Sequence, residues 1–220
     1  MKARPMEEHL AKAIDEGYIG SRVDPQLQVM SEKFDWDTDL GKQIWCFGPR
    51  NTSLNMVVNK CAGVSFLNET KGSVVAGFQD ASLEGALAHE EMRGICFEIC
   101  DVVLHENPIE RTGRQIIPTT RRAIYVAQLT AKPMLMKPVY LVEFQALQEA
   151  LNTISSLFDD NRGKVLNSGM LFDHWELMSF DPLEPGSQGA QLLANMRKRK
   201  GLTEHMVPLS KYEDGDKDKL

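Results

Sequence analysis

The sequence has little that would place it in a membrane or in an oxidising compartment. No apolar run among its 220 residues approaches the roughly 18 residues of a membrane-spanning helix. The stretch over residues 1–19 is acidic and lacks the apolar core of a secretory signal. There are 4 cysteines, and none stands in a CxxC pair. We therefore expect a globular cytoplasmic protein with free thiols, no membrane partner and no structural metal.

The sequence also lacks the motifs of common enzymes. There is no GxxxxGK loop for nucleotide phosphates, no GxGxxG, no GxSxG and no HExxH. His105 could form a dyad with Cys100, Asp101 or Glu110, but such pairs arise by chance in a chain of this size. His174 is most simply a packed strand residue. We therefore expect no enzyme, no cofactor and no small-molecule substrate.

Positive charge is scarce overall but unevenly distributed. The formal net charge is −6, from 25 basic and 31 acidic residues. Yet residues 111–142 contain no Asp or Glu, and their basic side chains are Arg111, Arg114, Arg121, Arg122, Lys132 and Lys137. Residues 197–200 form a second basic cluster. Segregated cations are typical of proteins that bind nucleic-acid phosphates, but they also occur on solvated helix faces. Charge alone does not decide between the two interpretations.

Hydrophobic periodicity outlines the first half of the chain. It predicts a strand at 44–47, a loop at 50–55, a helix at 65–83 and a long strand at 93–105. The string 74–78 also fits a strand, so the helix has an alternative there. Cys96 and Cys100 would share one buried face of the long strand.

The segment at 105–115 has no periodicity and contains Pro108 and Gly113, so we expect an exposed loop. The helix that follows would have Pro118 in its first turn and would end before Pro133. Its N-terminus would add partial positive charge to the loop.

The second half opens with a linker-like stretch between two Lys-Pro pairs. The elements predicted there are a linker at 132–138, a strand at 139–144, a helix at 147–158, a strand at 164–166, a strand at 171–178 and a helix at 187–200.

Five strings resemble one protein family, in order along nearly the whole chain. They are Ile-Trp-Cys-Phe-Gly-Pro at 44–49, Ser-Val-Val-Ala-Gly-Phe-Gln at 73–79, Gln-Ile-Ile-Pro-Thr-Thr-Arg-Arg at 115–122, Phe-Asp-His-Trp at 172–175 and Arg-Lys-Arg-Lys-Gly-Leu at 197–202. Together they resemble the C-terminal half of eukaryotic elongation factor two, the translocation GTPase of the ribosome. Even the first five residues resemble the family, at a point in the middle of its sequence.

The resemblance implies an α+β fold of two domains. Residues 1–137 would form domain four, a ribosomal-protein-like βαβ domain with a left-handed crossover. Residues 138–180 would form a truncated, ferredoxin-like domain five, and residues 181–220 a helix that packs back on the first domain, followed by an acidic tail. The GTPase domain of the family would lie outside this chain, so we expect no GTP hydrolysis by it.

The resemblance also implies a partner, the ribosome. In the family the tip of domain four enters the decoding site and contacts ribosomal RNA and the transfer RNA–messenger RNA pair. That tip corresponds here to His105, Glu110, Arg111, Arg114 and Gln115, supported by the basic residues Arg121 and Arg122. The resemblance therefore favours RNA contact over a merely solvated helix face.

This sequence departs from the family in ways that predict altered activity. Glu110 stands where the family has the histidine that is modified to diphthamide, so we expect no such modification. Thr112 and Arg114 replace glycines, which restricts the conformations of the loop. These changes in the tip predict weaker or altered decoding-site engagement. In domain five the family's third strand and second helix are missing, so we expect a loose or repacked C-terminal domain.

Other interpretations remain open at this point. The chain could be a free-standing regulator that occupies the factor site without turnover, or a degenerate gene product with no stable fold. A paralogue related to the spliceosomal or ribosome-maturation GTPases is a further alternative, although the string at 44–49 favours the elongation branch. The oligomeric state is not predicted.

Overall fold

The computed structural model describes residues 1–7, 10–11, 38–50, 55–142 and 170–213. The chain divides into two compact units, which we describe separately. The first comprises Met1–Pro133 with Gln191–Leu220, and the second comprises Met134–Ala190. The helix predicted at 147–158, the strand predicted at 164–166 and the acidic tail lie outside the described residues. Within the described ranges, no helix is long and apolar enough to cross a membrane.

A four-stranded mixed sheet forms the centre of the first unit. Its strands are β1 (Lys2–Pro5), β2 (Ile44–Gly48), β3 (Asn55–Asn59) and β4 (Ile95–Ile99), in the spatial order β1-β4-β3-β2. Strands β3 and β4 are parallel, and the two outer pairs are antiparallel. The helix between β3 and β4 makes this part of the chain a βαβ unit, because parallel neighbours need a crossover.

The helices differ greatly in length. The structure has α1 (Thr38–Gln43), α2 (Leu67–Leu83), a 3-10 turn (Pro108–Arg111), α3 (Gly113–Thr130), α4 (Gln188–Arg199) and α5 (Ser210–Glu213). Residues 74–78 lie in α2, which resolves the choice between helix and strand in favour of the helix. Helix α3 begins at Gly113, so Pro118 lies inside it rather than in its first turn.

Helices α2 and α3 cross very closely at Gly77. A Cβ atom at that position would lie 2.7 Å from the carbonyl oxygen of Ile117 and 2.9 Å from the Cβ of Thr120. Only glycine fits such an approach without displacing the neighbouring helix.

The sheet is buried on both faces. On one face Val57 and Phe97 pack with α2 and α3, and the rings of Phe78 and Phe97 meet edge to face with centroids 6.0 Å apart. On the other face Met56 and Cys96 pack against the N-terminal segment through Leu10, which is fully buried. Because both faces are covered, β3 reads as a continuous apolar run without alternation.

Asn55 ties three segments together at the end of the sheet. Its side chain is fully buried; Nδ2 donates to the carbonyl oxygens of Gly48 (3.1 Å) and Met92 (2.6 Å), and Oδ1 accepts from the N–H of Ile95 (3.1 Å). The predicted loop at 50–55 was wrong at this residue, which begins β3. Residues 51–54 are outside the described ranges.

Helix α4 has defined signals at both ends. The Oγ of Ser187 accepts from the N–H of Ala190 at 2.9 Å, as an N-cap does. At the other end Gly201 has φ +72°, and the N–H of Leu202 donates to the carbonyl oxygen of Arg197 at 3.0 Å. Gly201 is therefore the helix-ending glycine that the sequence predicts for this helix.

The described part of the second unit is a two-stranded antiparallel sheet. Strand β5 (Met136–Val142) pairs with β6 (Met170–Leu177), and the register shifts between Val139 and Tyr140. The predicted linker at 132–138 was wrong in its second half, because β5 already begins at Met136. Lys137 faces Glu176 across the ladder, with Nζ and Oε2 2.8 Å apart.

Candidate nucleic-acid interface

The tip, which we define as residues 105–115, follows an irregular segment after β4. The predicted long strand was wrong beyond Ile99, where the paired residues of both neighbouring strands also end. Without a ladder partner the chain leaves the sheet, and Val103 is 93% exposed where alternation would have buried it. Cys100 is exposed for the same reason, whereas Cys96 is buried.

Local hydrogen bonds shape the tip. Oδ1 of Asn107 accepts from the N–H of Ile109 at 3.1 Å and so caps the 3-10 turn. The N–H of Asn107 donates to Nδ1 of His105 at 3.0 Å, which in a neutral imidazole leaves Nε2 as the proton donor. Helix α3 then starts with the N–H of Ile116 on the carbonyl oxygen of Thr112 at 3.0 Å. The tip is therefore an ordered structure and projects exposed side chains.

Arg111 fastens the tip to the start of α2. Its guanidinium donates to the carbonyl oxygens of His105 (2.8 Å) and Glu106 (2.5 Å) and pairs with Oε2 of Glu69 at 3.0 Å. It also lies over the ring of Phe66, 3.9 Å from the centroid. The side chain is only 5% exposed. The prediction that Arg111 offers its charge to RNA is therefore corrected, because the side chain is buried and both terminal nitrogens are engaged within the protein, whereas the buried Nε has no hydrogen-bond partner among the described residues.

The exposed charges of the tip are mainly negative. His105, Glu106, Glu110, Arg114 and Gln115 are all exposed. Because Arg111 is paired with Glu69, the exposed charges left in the tip are the carboxylates of Glu106 and Glu110 and the guanidinium of Arg114. The acid-free stretch begins at Arg111, just after these carboxylates, so it does not make the tip basic as the charge pattern predicts.

The two supporting arginines lie along α3. Arg121 lies over the ring of Tyr125, 6.0 Å from its centroid, and the hydroxyl of Tyr125 donates to the carbonyl oxygen of Glu84 at 2.8 Å. The hydrogen bond to Tyr125 raises the pKa of Arg121, against the opposing effect of burial. Arg122 is half-buried and donates to Oγ1 of Thr119 at 3.3 Å. Arg121 thus helps to pack α3 against the end of α2.

The second basic cluster is largely used inside the first unit. Arg197 is 3% exposed, and its guanidinium donates to the carbonyl oxygens of Leu87 (2.5 Å), Thr203 (2.6 Å) and His205 (3.3 Å). Lys200 pairs with Glu90 at 2.6 Å and Lys198 with Glu204 at 3.4 Å. These cations hold the C-terminal segment to the first unit.

The four cysteines are free thiols, and two of them, Cys46 and Cys96, are buried. Burial raises the pKa of Cys46 to about 12 and that of Cys96 to about 11, so both stay protonated at neutral pH. Partial burial, followed by the charge of Asp101, also raises the pKa of Cys61. In the part of the chain that the structure describes, no group of three or more His, Cys, Asp or Glu could hold a metal ion.

A cavity of about 450 Å³ lies near the tip in the first unit. The residues that line it are Lys42, Gln43, Trp45, Asn59, Lys60, Cys61, Ala62, Asn68 and Lys71. They come from the junction of α1 and β2, the end of β3 and the first turn of α2. We call this cavity the lysine pocket. Sequence reasoning missed it because its three lysines are far apart in the chain, and only Asn68 and Lys71 share a helical spacing.

The described fold is an α+β domain with a mixed four-stranded sheet and an exposed tip. A family model described as elongation factor G, domain IV, matches residues 14–132, more than half of the chain. The chain therefore belongs to this family of elongation factor domains. Family membership supports an elongation-factor-like function in translation and, in general terms, a ribosome-related partner.

Proposed function

We propose that this chain is an elongation-factor-two-like protein that contacts the ribosome at the decoding site through its tip. The exposed residues His105, Glu110, Arg114 and Gln115 would meet ribosomal RNA and the transfer RNA–messenger RNA pair there. The observation that carries the proposal is the clamp at Arg111, which presents an ordered, exposed tip in a domain of this family. A preordered tip loses little conformational entropy when it binds.

The contact should be weaker than one made by a basic tip. Glu110 is exposed at the position that the resemblance gives to diphthamide, and Glu106 lies four residues before it. A carboxylate about 4 Å from a phosphate in water is repelled by about 1 kcal/mol. Arg114 offsets one such repulsion. The net effect is a tip that fits the site by shape and gains little from charge.

The second unit would correspond to an incomplete domain five. Strands β5 and β6 would be the first and last strands of a ferredoxin-like sheet, consistent with their antiparallel pairing. We further propose that this chain works in the cytoplasm and does not hydrolyse GTP itself, since its 220 residues hold no GTP-binding motif. Any translocation activity would need a GTPase domain of the elongation factor.

Ribosome co-sedimentation at low and high salt tests the tip. Arg114→Gln should reduce the ribosome-bound fraction at low salt, because it removes the only exposed arginine of the tip. Glu110→Gln should increase it, because it removes a repulsive charge. Lys132→Gln is the matched control, since it removes one positive charge outside the tip. Equal effects of Arg114→Gln and Lys132→Gln, with no effect of Glu110→Gln, would refute the proposed contact.

A further inference from the structure

The lysine pocket has the charge that the tip lacks. Lys60 and Lys71 are exposed, Lys42 lies beside them, and no carboxylate is among the lining residues of this described region. The exposed Asp101 is close enough to influence Cys61 but does not line the cavity. The two exposed ammonium groups of Lys60 and Lys71 line one cavity, and no carboxylate is among its described lining residues, so they create a positive potential that attracts a phosphate.

The wall of the pocket carries two further features that an inorganic anion would not use. Trp45 is half-buried, and Nζ of Lys71 lies 5.8 Å from the centroid of its ring. Oε1 of Gln43 is buried and, among the described residues, has no hydrogen-bond donor. A buried carbonyl oxygen without a donor is unfavourable until a ligand supplies one. The pocket thus offers cations, an aromatic surface and an acceptor together.

These three features match the three parts of a ribonucleotide. The phosphate would pair with the lysines, the base would lie against the indole, and a ribose hydroxyl or base amino group would donate to Gln43. Aromatic side chains flanked by cations are the common arrangement for binding single-stranded nucleic acid. The volume of about 450 Å³ is in the range of pockets that hold one small molecule.

The pocket also lies at the same end of the first unit as the tip. Asn68 and Lys71 belong to the first turn of α2, and Glu69 between them in sequence pairs with Arg111 of the tip. Asn59 at the end of β3 is paired with Ile99 at the end of β4, from which the chain runs to the tip. A strand that touches the tip could therefore continue to the pocket.

We propose that the lysine pocket binds one nucleotide of a single-stranded RNA, through Lys60 and Lys71 on the phosphate and Trp45 on the base. This inference rests on the proposed function in that the natural RNA strand would be ribosomal. It adds a second RNA contact in which positive charge supplies most of the affinity.

Fluorescence anisotropy with a labelled single-stranded RNA of about a dozen nucleotides tests the pocket in the full chain. The double variant Lys60→Gln/Lys71→Gln should bind the RNA at least about tenfold more weakly. It should also lower the slope of log affinity against log salt by about 0.7, because the pocket neutralises one phosphate and each neutralised phosphate of a single strand contributes about 0.7. The control, Lys2→Gln/Lys198→Gln, removes the same charge elsewhere and should stay within about twofold.

Trp45→Leu separates stacking from charge. It should weaken RNA binding severalfold while the salt slope stays the same, because no phosphate contact is lost. Circular dichroism of each variant checks that the fold is retained. If Trp45→Leu does not fold, the variants of the exposed lysines still test the pocket. If the two lysine pairs weaken binding equally, the affinity comes from net charge and the pocket assignment is overturned.

Other ligands are distinguished in the same assay. If polyglutamate competes with the RNA as well as unlabelled RNA does, the site binds acidic polymers in general and the proposal is overturned. If adenosine monophosphate competes at the same concentration as the RNA, the occupant is a free nucleotide and not a strand. The contact of the tip with the ribosome is tested separately, by co-sedimentation of the Arg114 and Glu110 variants. A negative result for the tip therefore does not decide whether the pocket binds RNA, and the reverse also holds.

Discussion

Replacing Arg111 with methionine should loosen the tip without unfolding the first unit. The substitution removes two hydrogen bonds to carbonyl groups, one ion pair with Glu69 and one contact with the ring of Phe66. Net contributions are about 1 kcal/mol for each hydrogen bond, about 0.5 kcal/mol for an ion pair with a solvent-exposed partner and about 0.5 kcal/mol for the ring contact. Local opening of the tip should therefore become easier by about 3 kcal/mol.

Hydrogen exchange measures this opening directly. The amide groups of Ile109 and Glu110 are hydrogen-bonded to Asn107 and should exchange about a hundredfold faster in Arg111→Met. Arg111→Lys should give most of the same acceleration, since an ammonium cannot serve both carbonyl oxygens and Glu69 as the planar fork does. Arg122→Met is the control, because Arg122 holds only Thr119. Unchanged exchange at Ile109 and Glu110 in Arg111→Met would refute the clamp.

Three further changes test contacts within each unit. Gly77→Ala should destabilise the first unit by about 1–2 kcal/mol in urea unfolding, because its Cβ meets a backbone oxygen at 2.7 Å. Gly72→Ala, in the same helix with nothing within 4 Å, should stabilise it by up to about 1 kcal/mol, and the same sign for both would contradict the close crossing. Asn55→Ala should lower the free energy of unfolding by about 3 kcal/mol in a thermal melt, because it leaves two buried carbonyl groups and the half-buried N–H of Ile95 without a hydrogen bond; a loss below about 1 kcal/mol would show that they re-pair. The pKa of Glu176 is lowered by its hydrogen bond to Lys137, so the pair stabilises β5–β6 above the ordinary carboxyl pKa and this is lost as pH falls through the lowered value. An NMR titration in which Lys137→Met leaves the pKa of Glu176 unchanged would exclude that cause.

Local sequence pattern was enough for helix α2 and for the ending of α4, but not for the start of α3, which begins at Gly113 within the predicted loop. Helix α2 carries an apolar stripe along its buried side, and Gly201 marks the end of α4. Pattern was not enough for β3, because a strand covered on both faces has no alternation and Asn55 looks like a turn residue. The strand β4 was predicted too long, since alternation in the sequence does not reveal where the neighbouring strands end.

The site was less predictable than the fold because its charges depend on distant partners. Arg111 was expected to be exposed, and the residue that engages it, Glu69, lies 42 positions away. No local pattern links the two. The lysine pocket could not be predicted for the converse reason. Lys42, Lys60 and Lys71 are far apart in the sequence, and only the folded chain brings them to one cavity.

Arg111 and Arg197 show why clusters of basic residues are a poor guide to nucleic-acid contact in this chain. Each guanidinium is almost fully buried, and each gathers carbonyl oxygens from segments that otherwise have no regular backbone pairing. The rigid guanidinium suits this task, because one side chain can donate to several carbonyl oxygens at fixed angles. Lysines also make ion pairs here, as Lys200 does with Glu90 and Lys198 with Glu204, but each ammonium is a flexible point charge. Among the described residues, the exposed cations to which we assign phosphate contacts are therefore Lys60, Lys71 and Arg114, whereas Arg111 and Arg197 hold segments of the domain together.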